Sequence, residues 1–468
     1  MTINSQGLLK PQLPHVTRLV DSLYINGFAF DLSDTGCGKM YCASAVSREM
    51  RMPTVVICPK SIIPQWQRVL DLFGIKPIVL ITYEKLARGN TKWMSWKKIQ
   101  DPYFPNKHGV LRLVPVFKFP QNALIIMDEG HKCRGGDTSN SWMMVAFKLQ
   151  KYTTLVSSAT LATSPLDMRA SGYLADLHKL YDFSTFCRLH GGRWTGRYGA
   201  VTWNSTDAEA IEAMRALNEY FFEARQCASR LTVDDMGEDF PETLISAEAY
   251  DLGPNSPRIQ SVYLQMEREI DELDERTENY SQHIFSILIR ARREAELLKV
   301  PTMVDKLVDL YDEGKSVAVF VNFTDTVHAI HERLSEKLRT LVGFVVGGQP
   351  DKERQQAIDD FQSGKKRIII CNIAAGGVGV SLHDLTGEFP RASIISPTWS
   401  AFNLRQSLGR VWRLKGVTKS VQFIMYASGC VEEDICRRVK FKLDNLSTLN
   451  DGELNEAEQF FHAPTEIV

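Results

Sequence analysis

What the chain lacks narrows its class before any motif is considered. Its 468 residues carry a formal net charge of −1, so no global positive charge indicates a nucleic-acid-binding protein, and any such contact requires a local basic cleft. No apolar run approaches the length of about 20 residues that crosses a bilayer. Residues 1–10 also lack the basic and apolar segments of a secretory signal. We therefore expect a cytoplasmic protein without a membrane partner.

The cysteines lack the spacing of a metal site or a disulfide framework. None of the nine forms a C-x-x-C pair, which argues against a zinc ribbon. Cys58 and Cys371 each end a strongly apolar run, the setting of a reduced core cysteine in an intracellular protein. The rest of the composition, 44% hydrophobic and 24% charged, is that of an ordinary globular chain with room for about two or three domains.

Short apolar runs between longer helical patterns predict an α/β fold. The runs are continuous rather than alternating, as expected of strands covered on both faces in parallel sheets. They are Thr54–Cys58, Ile78–Thr82, Leu124–Met127, Thr154–Val156, Val317–Val321, Arg367–Cys371, Ser393–Ile395 and Val421–Tyr426. Because they fall into two groups, we predict two domains with parallel sheets and helical insertions.

The boundary between the two groups is predicted from turn-forming residues. Residues 251–257 contain two prolines and a glycine, which favours a linker. This placement gives an N-terminal domain of residues 1–250, with a helical insertion at 206–228. The C-terminal domain of residues 251–468 begins with a charged helical protrusion at 258–299.

Residues 89–120 form a segment rich in aromatic and basic side chains. Such a segment can grip a nucleic-acid strand by stacking and charge. It can equally be a surface insertion with a small core of its own. The sequence leaves both interpretations open.

A strand, a glycine-containing turn and a helix start follow one another across residues 27–50. This order is typical of a phosphate cradle. Gly36 and Gly38 allow backbone N–H groups to turn toward an anion because no Cβ blocks the approach, and Lys39 adds a positive charge. The residues expected to contact phosphate are Thr35, Gly36, Cys37, Gly38, Lys39 and Met40.

A pair of acids follows the predicted strand Leu124–Met127. The carboxyl ends of strands are where α/β sheets place their ligands. Asp128 would hold Mg²⁺, directly or through water, and Glu129 would act as the general base on the attacking water. Ser158 and Thr160 follow another predicted strand and can link a nucleotide site to a bound nucleic-acid strand.

The second half supplies two arginines, Arg410 and Arg413, whose spacing predicts one helical face. Arginine forks stabilise the charge on a transferring phosphoryl group. A second glycine-dense loop at residues 374–379 precedes them. A nucleotide held between Lys39 and Asp128 of one domain and these arginines of the other would couple hydrolysis to cleft closure.

Taken in order, these motifs resemble a superfamily 2 helicase-type ATPase. They are the phosphate loop, Asp128–His131, Ser158–Thr160, Gly376–Gly379 and Gln406–Arg413. Further segments narrow the resemblance to the Swi/Snf-type DNA translocases: Ile57–Ser61 and Leu80–Glu84 are similar to that family's motifs Ia and Ib, and Val431–Lys442 to its C-terminal brace helix. The stretch from Phe186 to Pro241, with Arg230, is most similar to the annealing-helicase branch and to compact phage members.

The resemblance implies two tandem RecA-like lobes that hydrolyse ATP with Mg²⁺ in the cleft between them and move along duplex or branched DNA. It implies catalytic roles for Lys39, Asp128, Glu129, Gln406, Arg410 and Arg413. Besides the phosphate loop, it implies cofactor contacts for Gln12 (to adenine), Gly377 and Gly379. It implies nucleic-acid contacts for Lys60, Ser61, Thr82, Tyr83, Ser158, Thr160, Asn322 and Gly376. Most of these would be to phosphates, so DNA binding would be sequence-tolerant and sensitive to salt.

The compact architecture suggests a hypothesis about the cellular role. Branch migration, strand annealing or protein displacement would fit, in a bacterial or phage-infected cytoplasm. Replication or recombination proteins would then be the partners.

Met40 departs from the family pattern, which places a threonine or serine hydroxyl there as a Mg²⁺ ligand. A thioether is a poor ligand for that hard cation. Two alternatives stay open: an RNA-directed member of the superfamily and, because of Met40, a degenerate ATPase that serves as a DNA-binding regulatory scaffold. The segment at residues 58–61 and the brace helix speak against the first. The retained Lys39, Asp128 and Glu129, with both arginines, speak against the second.

Overall fold

The computed structural model describes residues 7–89, 91–107, 109–134, 136–159, 161–195, 200–203, 208–237, 243–250, 252, 255–273, 280–373, 380–398, 400–413, 416–427 and 432. The fold has two compact units; among the described residues, the first spans residues 7–237 and the second residues 243–432. Across the described ranges, every helix is too short or too polar to cross a membrane.

The first unit is built on a six-stranded parallel sheet. Its strands, in chain order with those of two small hairpins, are β1 (Phe28–Asp31), β2 (Thr54–Ile57), β3 (Val79–Ile81), β4 (Met94–Gln100), β5 (Leu111–Phe117), β6 (Leu124–Asp128), β7 (Thr153–Ser157), β8 (Gly192–Thr195), β9 (Ala200–Trp203) and β10 (Ala228–Ser229). The sheet order is β10-β1-β7-β6-β2-β3, and every neighbouring pair is parallel. The pairs β4–β5 and β8–β9 are separate antiparallel ribbons.

Helices cover this sheet. The α-helices are Gln12–Asn26, Lys39–Met50, Ile63–Leu72, Tyr83–Ala87, Ser139–Leu149, Arg169–Leu174, Phe183–Leu189, Ala208–Glu219 and Val233–Met236. Single turns of 3₁₀-helix lie at Lys60–Ile62, Gly130–Cys133, Pro165–Met168 and Leu180–Asp182, and a π-helical turn lies at Tyr220–Ala224.

The second unit repeats this plan. Its strands are β11 (Thr243–Tyr250), β12 (Ser316–Val321), β13 (Val342–Val345), β14 (Ile368–Asn372), β15 (Arg391–Ile395) and β16 (Ser420–Ala427). Their order is β11-β16-β15-β12-β14-β13, again with parallel neighbours only. Its described α-helices are Asn255–Asp271, Tyr280–Leu298, Val300–Asp312, Thr324–Arg333, Glu336–Arg339, Asp351–Gln362 and Ala401–Leu408.

The predicted α/β class with two parallel sheets is confirmed. Every residue of β1, β2, β6, β12, β14 and β15 is buried, which is why these strands read as continuous apolar runs. All eight predicted strands are present, with ends displaced by at most two residues. The seven described cysteines are buried and unpaired, as expected of reduced core residues.

The strand β11 bears on where the chain passes from one unit to the other. The sequence places the boundary at residue 250, yet β11 pairs with β16 along its whole length, from Thr243 opposite Ser420 to Tyr250 opposite Ala427. The polypeptide therefore belongs to the second sheet before residue 250. β11 is an edge strand, and its mixed polar and apolar sequence gave no continuous apolar signal.

Candidate functional site

The phosphate loop joins the end of β1 to the helix that begins at Lys39. Gly36 and Gly38 have φ angles of 97° and 85°, in the left-handed region that glycine adopts without strain. Lys39 Nζ donates to the carbonyl oxygens of Ser33 and Asp34, each at 2.9 Å. The loop thus places a lysine charge beside the positive end of a helix, which is an arrangement suited to binding phosphate.

Gln12 braces this loop from the preceding helix. Its Oε1 accepts from the backbone N–H of Leu9 at 2.9 Å, and its Nε2 donates to the carbonyl of Cys37 at 2.9 Å. A Cβ placed on Gly38 would lie 2.5 Å from Gln12 Nε2, so the glycine is required by close approach as well as by φ. The side chain expected to contact adenine therefore also sets the loop conformation.

A buried polar network that the sequence analysis missed lies at the start of the loop. Asp31 Oδ1 accepts from Ser33 Oγ at 2.6 Å and lies 3.3 Å from His15 Nε2, while His15 Nδ1 lies 2.8 Å from Ser229 Oγ. Burial alone would raise the pKa of Asp31, but the charge and hydrogen bond of His15, with Lys39 and Ser33, bring it below its ordinary value. The only sequence signal was an aspartate at the end of an apolar strand.

The residues that follow β10 form hydrogen bonds with the other side of the phosphate loop. Arg230 donates to Asp34 Oδ1 at 2.8 Å, and the backbone N–H of Val233 to Asp34 Oδ2 at 3.3 Å. The backbone N–H of Leu231 donates to Ser33 Oγ at 3.0 Å. Segments about 200 residues apart in sequence therefore hold the phosphate loop in place.

The acid pair lies at the carboxyl end of β6. Asp128 Oδ2 accepts from Trp66 Nε1 at 2.7 Å, and Oδ1 accepts from the backbone N–H of Glu129 at 2.9 Å. Burial, followed by the charge of Glu129, raises the pKa of Asp128 to about 7, although the Trp66 hydrogen bond and the Lys39 charge act in the opposite direction. Two adjacent carboxylates, one of them buried, are more stable as a pair of anions when a cation lies nearby.

Glu129 has a left-handed backbone, with φ 56° and ψ 51°, a conformation that costs a non-glycine residue about 1–3 kcal/mol and is common at functional sites. Its Oε2 lies 3.2 Å from His131 Nδ1, which is also 3.3 Å from Ser158 Oγ. At Gly130 a Cβ would lie 2.4 Å from a methyl carbon of Val156. The close packing of Gly130 on β7 thus positions both the carboxylate and the histidine.

The donor set fits a magnesium ion brought by a nucleotide. Mg²⁺ is commonly bound by one or two carboxylates together with substrate phosphates and water, and Asp128 offers a buried carboxylate close to Lys39. No group of three or more potential metal ligands occurs among the residues described, so a metal cage made by the protein alone is not found there. Met40 is half-buried at the start of the loop helix and brings only a thioether.

The nucleic-acid candidates of the first unit lie at the carboxyl ends of strands but differ in exposure. Lys60 is exposed and Ser61 half-buried in the 3₁₀ turn after β2, and half-buried Thr82 caps the helix after β3 by accepting from the backbone N–H of Lys85. Tyr83 is fully buried, and its hydroxyl donates to the backbone carbonyl of Asp128 at 2.8 Å. Lys60, Ser61 and Thr82 are therefore accessible to a ligand, whereas Tyr83 is buried against the acid pair.

In the second unit, Asn322 follows β12 and is held from several sides. Its amide hydrogens donate to Glu296 Oε1 at 2.7 Å and to the carbonyl of Pro397 at 2.9 Å, and Asn372 donates to its backbone carbonyl. Glu296 is buried and also accepts from the hydroxyl of Thr326 at 2.7 Å. A nucleic-acid contact by Asn322 would consequently use its side-chain oxygen.

The arginine motif has a different local structure from the one its spacing predicts. The helix Ala401–Leu408 carries buried Gln406 and ends before Gly409, so the two arginines lie in the chain after the helix rather than on one of its faces. Glycine is among the poorest helix formers. Arg410 is buried and donates to the carbonyl of Val380 at 3.4 Å, and Arg413 donates to Ser381 Oγ at 2.9 Å.

Some predicted residues lie outside the described part of the chain. They are Thr160, Gly376, Gly377, Gly379 and, apart from Glu432, the predicted brace helix. Glu432 forms a buried ion pair with Lys299 at 2.6 Å and accepts from the backbone N–H of Ala427.

Comparison with known proteins identifies the class of protein to which the chain belongs. A family model described as "helicase conserved C-terminal domain" matches residues 299–415. A protein of Acanthamoeba polyphaga mimivirus, whose name designates it provisionally as an ATP-dependent RNA helicase, is 32% identical over 463 residues, covering 96% of this chain and 85% of the relative.

Shorter stretches of the chain are similar to two other groups of proteins. Human DNA excision repair protein ERCC-6-like is 30% identical over 35% of this chain and 13% of its own length. Drosophila yakuba DNA repair and recombination protein RAD54-like is 29% identical over 32% of this chain and 19% of its own length. A Sulfolobus solfataricus SWI2/SNF2 ATPase core, solved with double-stranded DNA, covers 97% of both chains at 18% identity, with a TM-score of 0.34, which is too low to support a conclusion.

Two parallel-sheet units, a phosphate loop and a strand-end acid pair define an ATP-dependent helicase-type ATPase. The chain belongs to the ATP-dependent helicases of superfamily 2.

Proposed function

We propose that this protein is a DNA-dependent ATPase that translocates along duplex or branched DNA. The observation that carries the proposal is the position of His131, which lies within 3.3 Å of both Glu129 and Ser158. One side chain thus joins the proposed general base to a motif proposed to sense bound nucleic acid. Such a contact provides a route by which binding of nucleic acid can alter hydrolysis.

Bound ATP with Mg²⁺ would supply the transferable phosphoryl group and neutralise part of its charge. The backbone N–H groups near Gly36 and Gly38, with Lys39 Nζ, would bind the phosphates, and Asp128 would hold the metal. The Glu129 carboxylate would accept the proton of the attacking water. Arg410 and Arg413 would add positive charge against the developing negative charge.

The choice of DNA rests on the segment Cys58–Ser61 and on relatives named for DNA repair. Within this activity, we propose branch migration, strand annealing or displacement of bound protein as the outcome of translocation. The proposal of strand annealing would be contradicted if the protein unwinds forked DNA but gives no product with branched DNA or with complementary strands.

Steady-state ATP hydrolysis tests the central proposal. Turnover is measured without nucleic acid and with duplex DNA, branched DNA, single-stranded DNA and RNA. Duplex or branched DNA should stimulate turnover most, and Lys39→Ala and Glu129→Gln should abolish it. Glu129→Gln should retain ATP binding, because the substitution removes a proton acceptor and leaves the phosphate loop intact.

An RNA-directed helicase is the second candidate, and the name of the mimivirus relative favours it. It predicts stimulation by RNA and little by DNA in the same assay. The fold and the chemistry of hydrolysis would then be unchanged, and only the substrate would be reassigned.

A regulatory scaffold is the third candidate because Met40 lacks the hydroxyl that Mg²⁺ favours. ATP hydrolysis by the Met40→Thr variant distinguishes a regulatory scaffold from an active enzyme. We expect the change to raise the apparent affinity for Mg²⁺ and to change the maximal rate less than about tenfold. The scaffold would be established if the wild-type protein binds nucleotide without turnover and the Met40→Thr variant hydrolyses ATP.

A further inference from the structure

The ribbon β4–β5 carries a charge opposite to that of the chain as a whole. Residues 88–121 contain seven lysines and arginines and one acid, Asp101, in a chain of net charge −1. Asp101 is buried and paired with Arg112 at 2.8 Å. The exposed charges of this segment, among the residues described, are therefore all positive.

The tip of the ribbon lies toward the carboxyl edge of the sheet, where the proposed nucleic-acid contacts Lys60 and Thr82 are found. Near its base, the backbone N–H of Phe117 donates to Gln150 Oε1 at 2.8 Å, just beyond the C-terminus of the helix Ser139–Leu149. Near its tip, Arg112 bonds Asp137, which precedes the N-terminus of the same helix. That helix starts on the carboxyl side of β6, so the tip of the ribbon lies toward the carboxyl edge of the sheet.

A second contact ties the ribbon to the segment that carries Thr82. Trp96 Nε1 donates to the carbonyl of Ala87 at 3.0 Å, the last residue of the five-residue helix capped by Thr82. Such a helix is roughly 8 Å long, and a seven-residue strand reaches roughly 23 Å. The ribbon therefore extends the surface that begins at Lys60 and Thr82.

The aromatic side chains of the segment are used in packing. Trp93 stacks on Phe119 with ring centroids 5.5 Å apart, and the Trp96 indole covers Gly89. Phe104 is exposed, but Lys107 Nζ lies over its ring at 5.2 Å. Recognition of single strands relies on bases stacking on exposed aromatic rings, whereas the affinity for a duplex comes mainly from charge on its phosphates. The structure therefore favours a duplex as the occupant.

We propose that the exposed Lys97, Lys98 and Lys107 bind the phosphate backbone of duplex DNA, beyond the contacts of the helicase motifs. Lys97 and Lys98 are adjacent on one strand, so their side chains leave opposite faces of the ribbon and offer positive charge on both. The proposal rests on the proposed function for its choice of DNA. It assigns a role to a segment that the conserved motifs do not include.

The test compares two double variants of equal charge. Lys97→Gln with Lys98→Gln removes two proposed contacts. Lys76→Gln with Lys151→Gln removes two exposed lysines that precede β3 and β7, at the opposite edge of the sheet. Affinity for a labelled DNA duplex is measured by fluorescence anisotropy between about 50 and 200 mM salt, and ATP hydrolysis without DNA serves as the check on folding.

The ribbon variant should bind duplex DNA about ten- to a hundredfold more weakly near 0.1 M salt, and its salt slope should fall by about 2. The edge variant should behave as wild type, and Lys97→Arg with Lys98→Arg should restore binding. An unchanged affinity and slope in the ribbon variant would overturn the inference even if DNA stimulates wild-type hydrolysis.

Other outcomes separate the inference from the proposed function. Weakened duplex binding in the ribbon variant, with no DNA stimulation of the wild type, supports the contact and overturns the function. A third variant, Leu111→Ser with Leu113→Ser, changes two exposed leucines of β5. If this variant loses DNA affinity and the lysine variant does not, the charge contact is overturned and an apolar contact is indicated.

Discussion

Trp66 and Asp128 form a buried hydrogen bond of 2.7 Å between the indole N–H and carboxylate Oδ2. Trp66 lies on the helix that follows the Lys60–Ile62 turn, and Asp128 ends β6. The bond therefore ties a proposed nucleic-acid segment to the proposed metal ligand. Without it, a fully desolvated carboxylate oxygen would lose its partner, which costs about 1–3 kcal/mol or more.

Trp66→Phe should raise the Mg²⁺ concentration needed for half-maximal ATP hydrolysis and lower turnover about tenfold or more. An aromatic ring is kept, but the smaller phenyl group also loses packing at this fully buried position, so the effect of the lost donor to Asp128 is read against a control with the same change in size. A Mg²⁺ titration of steady-state hydrolysis measures it. Trp142→Phe is the matched control, because Trp142 donates to Asp137 away from the acid pair. Equal Mg²⁺ curves for Trp66→Phe and wild type would contradict the prediction.

His131→Ala should reduce stimulated hydrolysis more than basal hydrolysis. If His131 carries coupling between Glu129 and Ser158, its loss removes a coupling of typically 5- to 150-fold while leaving the carboxylate in place. The ratio of turnover with and without nucleic acid is the measured quantity. Ser158→Ala should lower the same ratio, and His328→Ala, an exposed histidine of the second unit, should not. A uniform fall in basal and stimulated rates would assign His131 to catalysis alone.

Asp31→Asn should weaken nucleotide binding and lower the free energy of unfolding by about 1–3 kcal/mol. The substitution keeps the side-chain shape and an oxygen that can accept from Ser33, but it removes the buried charge beside His15. Thermal unfolding and titration with a fluorescent nucleotide measure the two effects. Asp71→Asn, at an exposed site bonded to Gln67, should stay within about 0.5 kcal/mol of wild type. Unchanged nucleotide affinity would limit the network to a structural role.

His383 should make the second unit less stable in mild acid. Burial, followed by the charges of Arg413 and Arg391, lowers the pKa of His383 to about 4, although Asp384 acts in the opposite direction. An unfolded chain binds a proton there near its ordinary pKa of 6.5, so the stabilisation is present above pH 6.5 and is lost as pH falls toward 4.

The loss attributable to His383 should reach about 1–3 kcal/mol. Thermal unfolding midpoints between pH 7.5 and 5, compared with those of His383→Gln, test the assignment. The variant should show a shallower decline than wild type. Parallel curves would show that other groups cause the acid sensitivity.

The elements predicted from sequence were those with strong local signals. The buried strands of both sheets are mainly apolar. The phosphate loop needs glycines at positions 36 and 38, whose φ angles other residues rarely adopt. The edge strand β11 gave no such signal because it mixes polar and apolar residues without a continuous apolar run. The end of the helix at Leu408 was also missed, since a spacing of three residues does not by itself show that a helix continues to Arg413.

The sequence by itself determined the fold class, the order of the motifs and the types of residue available for phosphate chemistry, because burial on both faces and glycine geometry are local requirements. Only the tertiary structure decided which distant groups meet. It placed Ser229 beside His15, Arg230 beside Asp34, and the hydroxyl of Tyr83 on the backbone of Asp128. These contacts join residues 45 to 214 positions apart, and packing of whole helices and strands, which no local pattern encodes, brings them together.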